Sequence, residues 1–184
     1  MISTGIILLA ILGMSLSTFT LFHVLLSLVG IAAGLLVVYG MLTAKRFNGG
    51  TAIFLVTTVL TSLTGFLFPF EHLLPSHIVG VISLVVLAVA IVARYPLHLQ
   101  RSWRAIYVVC AMLALYLNVF VLVVQVFLKV PAVHALAPTQ KEPPFLVVQL
   151  AVMAAFVVLG IFAVNKFRLQ PVAVVDAWRN SKAS

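Results

Sequence analysis

The sequence predicts an all-α transmembrane helical bundle of five spans, or six if the first segment also crosses, mostly up-and-down and antiparallel. Three observations carry this expectation. The 184 residues are 64% hydrophobic and 8% charged, with a mean hydropathy of +1.28, whereas a soluble domain is about 45–50% apolar and about 25% charged. The apolar residues come in uncharged runs of about 20, the length of helix that crosses a hydrocarbon core roughly 30 Å thick. Short stretches rich in Gly, Pro, Lys and Arg separate the runs, and such residues stop helices.

The first element is the hardest to bound. Ile2 to Ala44 carries no formal charge and as one helix would measure about 64 Å, twice the bilayer. Phe22 to Ala44 makes a natural span. Residues 1–21 then form an apolar N-terminal segment, either a short span or an interfacial helix, with a turn near Ser17 to Leu21. The segment lacks a basic start and a small-residue cleavage site, so it is expected to stay in the mature protein. Four further spans follow: Thr51 to Phe70, Ser76 to Tyr95, Ala105 to Val130 and Pro144 to Phe167. The connections are short, which makes sequential helices antiparallel neighbours. Pro131, Pro138, Pro143 and Pro144 are expected to keep the connection before the last span stiff and semi-extended. The bundle thus covers residues 22–168, and residues 169–184 form a short tail.

Orientation follows from the basic residues. Nine of the eleven Lys and Arg fall on one face: Lys45, Arg46, Arg94, Arg101, Arg104, Lys166, Arg168, Arg179 and Lys182. Lys129 and Lys141 fall on the other, with Glu71 and Glu142. The positive-inside rule makes the first face cytoplasmic, so the expected location is the cytoplasmic (inner) membrane with the C-terminus inside. The net charge of +8 is scattered in clusters between apolar runs and forms no basic face, which argues against nucleic acid as a partner. Arg94-Tyr95-Pro96 and Arg101-Ser102-Trp103-Arg104 read as anchors at headgroup depth. The lone Cys110 excludes an intramolecular disulfide and a zinc ribbon.

Placing the polar side chains by depth suggests a site. His23 and His77 begin two spans that both run inward, so they share a depth in the outer leaflet. Asn118 lies at mid-membrane, and Gln125 and Gln149 lie nearer the outer face. Strongly polar groups in hydrocarbon are costly unless they pair, face the bundle interior or line a wet cavity. Two neutral imidazoles on neighbouring helices suit the axial positions of a haem b, and a quinone would suit the same polar surroundings. On this reading His23 and His77 are the iron ligands, Asn118, Gln125 and Gln149 complete the cofactor-binding set, and the partner is quinone or another membrane redox protein. No catalytic residue is assigned, and the sequence does not decide whether the chain is an enzyme.

A competing reading makes the histidines interfacial residues and the amides interhelical fasteners, which describes a non-catalytic structural or accessory subunit. A third takes Asn118 and Gln125 as the line of a small-solute transporter. Glu71, His72, His77, His134 and Glu142 form a weaker outer-loop set of metal-ligand types. Thr57, Thr58, Thr61, Ser62, Thr64 and Gly65 form a small-residue stripe suited to close helix packing. The chain has no Walker loop, no dinucleotide fingerprint and no carboxylate within a span, which disfavours a proton pump built on a membrane carboxylate.

Phe22-His23-Val24-Leu25-Leu26-Ser27-Leu28-Val29-Gly30, Leu74-Pro75-Ser76-His77-Ile78-Val79-Gly80 and Leu117 to Gln125, followed by Ala137-Pro138-Thr139-Gln140, resemble a group of small uncharacterised bacterial multi-pass inner-membrane proteins. The resemblance runs from about Phe22 onward. More loosely, the histidines at the outer ends of the first and third spans resemble the layout of b-type cytochrome helical bundles, a likeness of architecture alone.

Overall fold

A computed structural model describes residues 13, 15–68 and 75–167, with side chains from residue 77 in the last of these stretches. The described residues are helical throughout their regular structure, in the order α1 (Leu16–Leu42), α2 (Asn48–Gly65), α3 (Pro75–Arg94), α4 (Trp103–Lys129), α5 (Pro131–His134) and α6 (Pro143–Lys166). Four of these are long and apolar enough to cross a membrane: Leu16–Leu42, His77–Arg94, Trp103–Lys129 and Pro143–Lys166. Their outer surfaces are what lipid demands. Leu25, Val85, Val109 and Val157 stand exposed on them, where a water-soluble surface rarely gathers such patches. α2 falls short of the same standard by composition, because Asn48, three glycines and six Thr or Ser dilute its 18 residues.

The helix starts have local causes. α1 begins at Leu16, six residues before the expected Phe22, because the Ser15 hydroxyl accepts the Thr18 backbone N–H at 3.2 Å, satisfying a donor that a helix start leaves open. The expected turn near Ser17 to Leu21 is therefore helix. Residues 1–12 and 14, on which the sixth span would fall, lie outside the described residues. Pro143 opens α6, where a missing N–H costs nothing. At its other end α1 closes with the Lys45 N–H on the Gly40 carbonyl at 2.8 Å and the Thr43 N–H on Tyr39 at 3.0 Å, a Schellman closure. Ala44 takes the left-handed position, with φ of 54°.

α4 is the centre of the bundle and touches α1, α2, α3, α5 and α6. α2 lies against α1 on one side and α3 on the other, while α1 and α3 do not approach each other. Gly30 and Gly34 let α1 come close. A Cβ at Gly30 would sit 3.0 Å from the Thr57 hydroxyl, and one at Gly34 would sit 2.6 Å from a Leu115 methyl and 3.0 Å from the Phe54 ring. This small-xxx-small spacing suits helix association in lipid, where packing replaces the hydrophobic drive. The small-residue stripe of α2 is a packing surface, with Thr58, Thr61 and Ser62 buried and Ser62 donating to Ser83 of α3 at 3.0 Å.

The core is lopsided. Its largest members, Met41, Phe54, Leu87, Tyr107, Val108 and Leu115, belong to the end of α1, the start of α2, the second half of α3 and the first half of α4. They fill the half of the bundle next to the basic residues. α6 buries only Gln149 and Ala163. The connection from Pro131 to Pro143 folds back over the end of α4 and is not semi-extended. It opens with one helical turn, the Gln140 side chain donates to the Val124 carbonyl at 3.0 Å, and Ala137 is fully buried.

Candidate functional site

His23 sits between the second and third turns of α1 and reaches α2. Its Nδ1 lies 2.8 Å from the Thr64 hydroxyl. That hydroxyl already gives its proton to the Leu60 carbonyl at 2.7 Å, so its oxygen is the acceptor and the His23 proton belongs on Nδ1. The Phe68 ring meets the imidazole edge-on at 5.1 Å, and Gly65 leaves room beside Cε1. One imidazole is thereby fixed in position and tautomer by the end of α2.

His77, in the first turn of α3, is buried, at 7% exposure. Its ring lies 5.7 Å from that of Phe66, tilted by 38°, and it has a further interaction within the fold. Gly80 holds the same phenyl ring close, since a Cβ there would come within 3.0 Å of it. Both histidines thus pack on the C-terminal end of α2, His23 at Thr64 and His77 at Phe66. The helices that carry them have no Cα pair within 8 Å.

The amides go to separate junctions. Asn118 of α4 donates to the Thr58 hydroxyl of α2 at 3.3 Å, beside the gap at Gly30. Gln149 of α6 donates through Nε2 to the Phe120 carbonyl of α4 at 3.2 Å. Its Oε1 is buried without a hydrogen-bond partner. Gln125 is exposed on the outer end of α4. Four of the five residues therefore meet different partners, Gln125 is exposed, and the two histidines share only the end of α2. A cleft at the basic end of the bundle measures about 10 Å³, and none of the five residues lines it.

The outer-loop set is equally dispersed. His134 Nδ1 lies 3.1 Å from the Phe127 carbonyl. Glu142 is held by its own loop through the Thr139 hydroxyl at 2.9 Å and the N–H groups of Thr139 and Lys141. Glu71 and His72 lie outside the described residues, and no group of three metal-ligating side chains occurs among the described ones. Desolvation is the largest single influence on Glu142 and opposes its ionisation, but the hydrogen bonds from its own backbone, Thr139 and Lys141 together outweigh it and hold the carboxyl below its ordinary pKa.

Depth along the sequence did not reveal the polar cluster at the basic end. Arg94 donates to Asn48 Oδ1 at 2.9 Å, and its guanidinium lies over the Tyr95 and Tyr107 rings at 5.7 and 5.3 Å. Arg104 donates to the Val164 carbonyl at 3.0 Å and also to that of Phe167. The signal was present in the spacing. Arg104 and Tyr107 are three residues apart, on one face of α4, so an arginine read as an interface anchor stands beside an inward-facing tyrosine. No family model, curated protein or solved structure matches the chain.

Proposed function

We propose that the chain is a non-catalytic structural or accessory protein of the cytoplasmic membrane, crossing it five times with its C-terminus inside. The observation that carries this reading is the way the polar side chains of the spans close on neighbouring helices: His23 with Thr64, Ser62 with Ser83, Asn118 with Thr58 and Gln149 with the Phe120 carbonyl. Each is the work of a fastener, and each joins a different pair of helices or a different level of the same pair. α2 counts as the fifth span because short connections tie it to two long apolar helices that it separates. The basic end of the bundle supports the orientation, since Lys45, Arg46, Arg94, Arg101, Arg104 and Lys166 all gather there. A haem b or quinone held between His23 and His77 is the less supported reading, because both rings are packed against α2. Transport along Asn118 and Gln125 is disfavoured by the exposure of Gln125.

A double-mutant cycle tests the fastener role in detergent-solubilised protein. His23→Ala and Thr64→Val should each lower stability, and their coupling should be about 0.6 kcal/mol, the average for such bonds in membranes. Strictly additive losses would remove the role. Absorption spectra of protein made in cells supplied with haem precursor, oxidised and then reduced, decide the other side. A Soret band that His23→Ala and His77→Ala both abolish would replace this reading with the redox one.

A further inference from the structure

A cleft opens at the basic end of the bundle, where the C-terminal ends of α1, α3 and α6 meet the starts of α2 and α4. Lys45, Arg46, Thr51, Arg94, Tyr107 and Phe167 are among its lining residues, and its volume of about 10 Å³ admits one oxygen-sized group and no ring. Three cations line this small space, Lys45, Arg46 and Arg94. Arg94 spends one N–H on Asn48 out of the five a guanidinium offers, and Arg46 lies 5.9 Å from the Phe167 ring. Arg104, outside the lining, holds the carbonyls of Val164 and of the lining residue Phe167.

The charge has no nearby counterpart among the described residues. The chain has three carboxylates, Glu71, Glu142 and Asp176. Glu142 immediately precedes α6, about 36 Å from the other end of that helix at 1.5 Å per residue. Glu71 follows the far end of α2 in the sequence, and Asp176 lies outside the described residues.

A second, independent observation concerns Tyr107. The side chain is 1% exposed and its hydroxyl lies next to Thr51 and Arg94, yet it completes a hydrogen bond with neither. Thr51 turns its own hydroxyl to the Phe47 carbonyl at 2.9 Å. A buried hydroxyl without a partner is destabilising, and this one lines the cleft beside Lys45, Arg46 and Arg94. An acceptor carrying negative charge would satisfy this hydroxyl and the cations beside it together.

We propose that the cleft binds the phosphate of an anionic phospholipid headgroup, with one phosphate oxygen accepting from Arg94 and the Tyr107 hydroxyl while Lys45 and Arg46 neutralise the rest at the mouth. A lipid is favoured over a free anion by position. The cleft lies at the level of Tyr95 and Trp103, which stand partly exposed at the same ends of α3 and α4 as rings do at headgroup depth. Exposed apolar side chains such as Leu36 and Val92, on the helices whose ends form the cleft, offer a surface to acyl chains. Basic pockets between spans on the cytoplasmic side are a recognised form of headgroup site. The inference goes beyond the accessory role and stands or falls separately from it.

The test uses the full chain in neutral detergent, titrated with phosphatidylglycerol or phosphatidylcholine and read by native mass spectrometry and thermal melting. Phosphatidylglycerol should bind and raise the melting temperature, and phosphatidylcholine should not. Arg94→Gln should weaken phosphatidylglycerol binding about tenfold and Tyr107→Phe several-fold, as expected for hydrogen bonds to a charged group. Without lipid, Tyr107→Phe should melt no lower than the parent, because it removes an unpaired hydroxyl and keeps the ring. This opposite pair of effects separates a headgroup contact from a general loss of packing. Four results would overturn the proposal: equal binding of the two lipids, unchanged lipid affinity in Tyr107→Phe, equal protection by inorganic phosphate, or lipid binding that appears only in Asp176→Asn, which would make the chain's own tail the occupant.

Discussion

Two residues show how local chemistry decides what a side chain does in this bundle. His23 has two ring nitrogens and therefore two possible roles. Thr64 settles one of them, because its hydroxyl proton is committed to Leu60 and only its oxygen faces the ring. The histidine was conspicuous in the sequence, but its partner was not, since a threonine 41 residues away has no signature at that distance. Ala44 is the reverse case. It is an ordinary residue in a position that suits glycine, with φ of 54° closing α1. A left-handed Cβ costs about 1–2 kcal/mol, part of which glycine returns through its freer unfolded chain. Ala44→Gly should therefore raise stability by about 1 kcal/mol, measured by thermal or denaturant unfolding in micelles.

At the scale of elements, the sequence was most legible where chemistry interrupts it. Pro75, Pro143, Arg94 and Lys166 mark helix ends that lie within a residue or two of expectation. The start of α1 was hidden because its cap, Ser15 with Thr18, lies inside an unbroken uncharged run. The outer connection was misjudged for a different reason. Its prolines limit the backbone, but Gln140, His134 and the buried Ala137 fold it onto the end of α4, and those tertiary contacts prevail over local stiffness. Glu142 organises the last part of that connection in its ionised form. Since its pKa in the fold is lowered, the stabilisation is present above the ordinary glutamate range and is lost as pH falls through the depressed value. Amide hydrogen exchange at Thr139 and Lys141 should show protection at neutral pH that fades in acid. Glu142→Gln should show reduced protection at neutral pH and little change on acidification.

For the whole molecule, hydropathy and charge gave the solvent, the helical class and the basic end, because lipid imposes those requirements on every span separately. They did not give the lateral order. Depth matched His23 with His77 along the membrane normal, but the angle around each axis depends on which helices are neighbours, and α2 lies between their two helices. Nor does uniform apolarity reveal where packing is dense. The buried side chains cluster toward the basic half, so stability should be sensitive there and tolerant elsewhere. Leu115→Ala, at a fully buried position, should cost about 2–5 kcal/mol. Val147→Ala, at 63% exposure, should change unfolding in micelles by less than about 0.5 kcal/mol.

α6 follows from this lopsidedness. Gln149 and Ala163 are separated by about 21 Å of helix axis and point the same way, one pinned to a carbonyl and the other pressed into the core. A rod held by a peg near each end keeps its rotational setting, and between the pegs its hold is partly buried packing, with Phe156 and Leu159 against the core and the Phe156 ring 5.7 Å from that of Tyr116. Of the long helices described it buries the fewest side chains, so it can be undocked with the least disturbance to the rest.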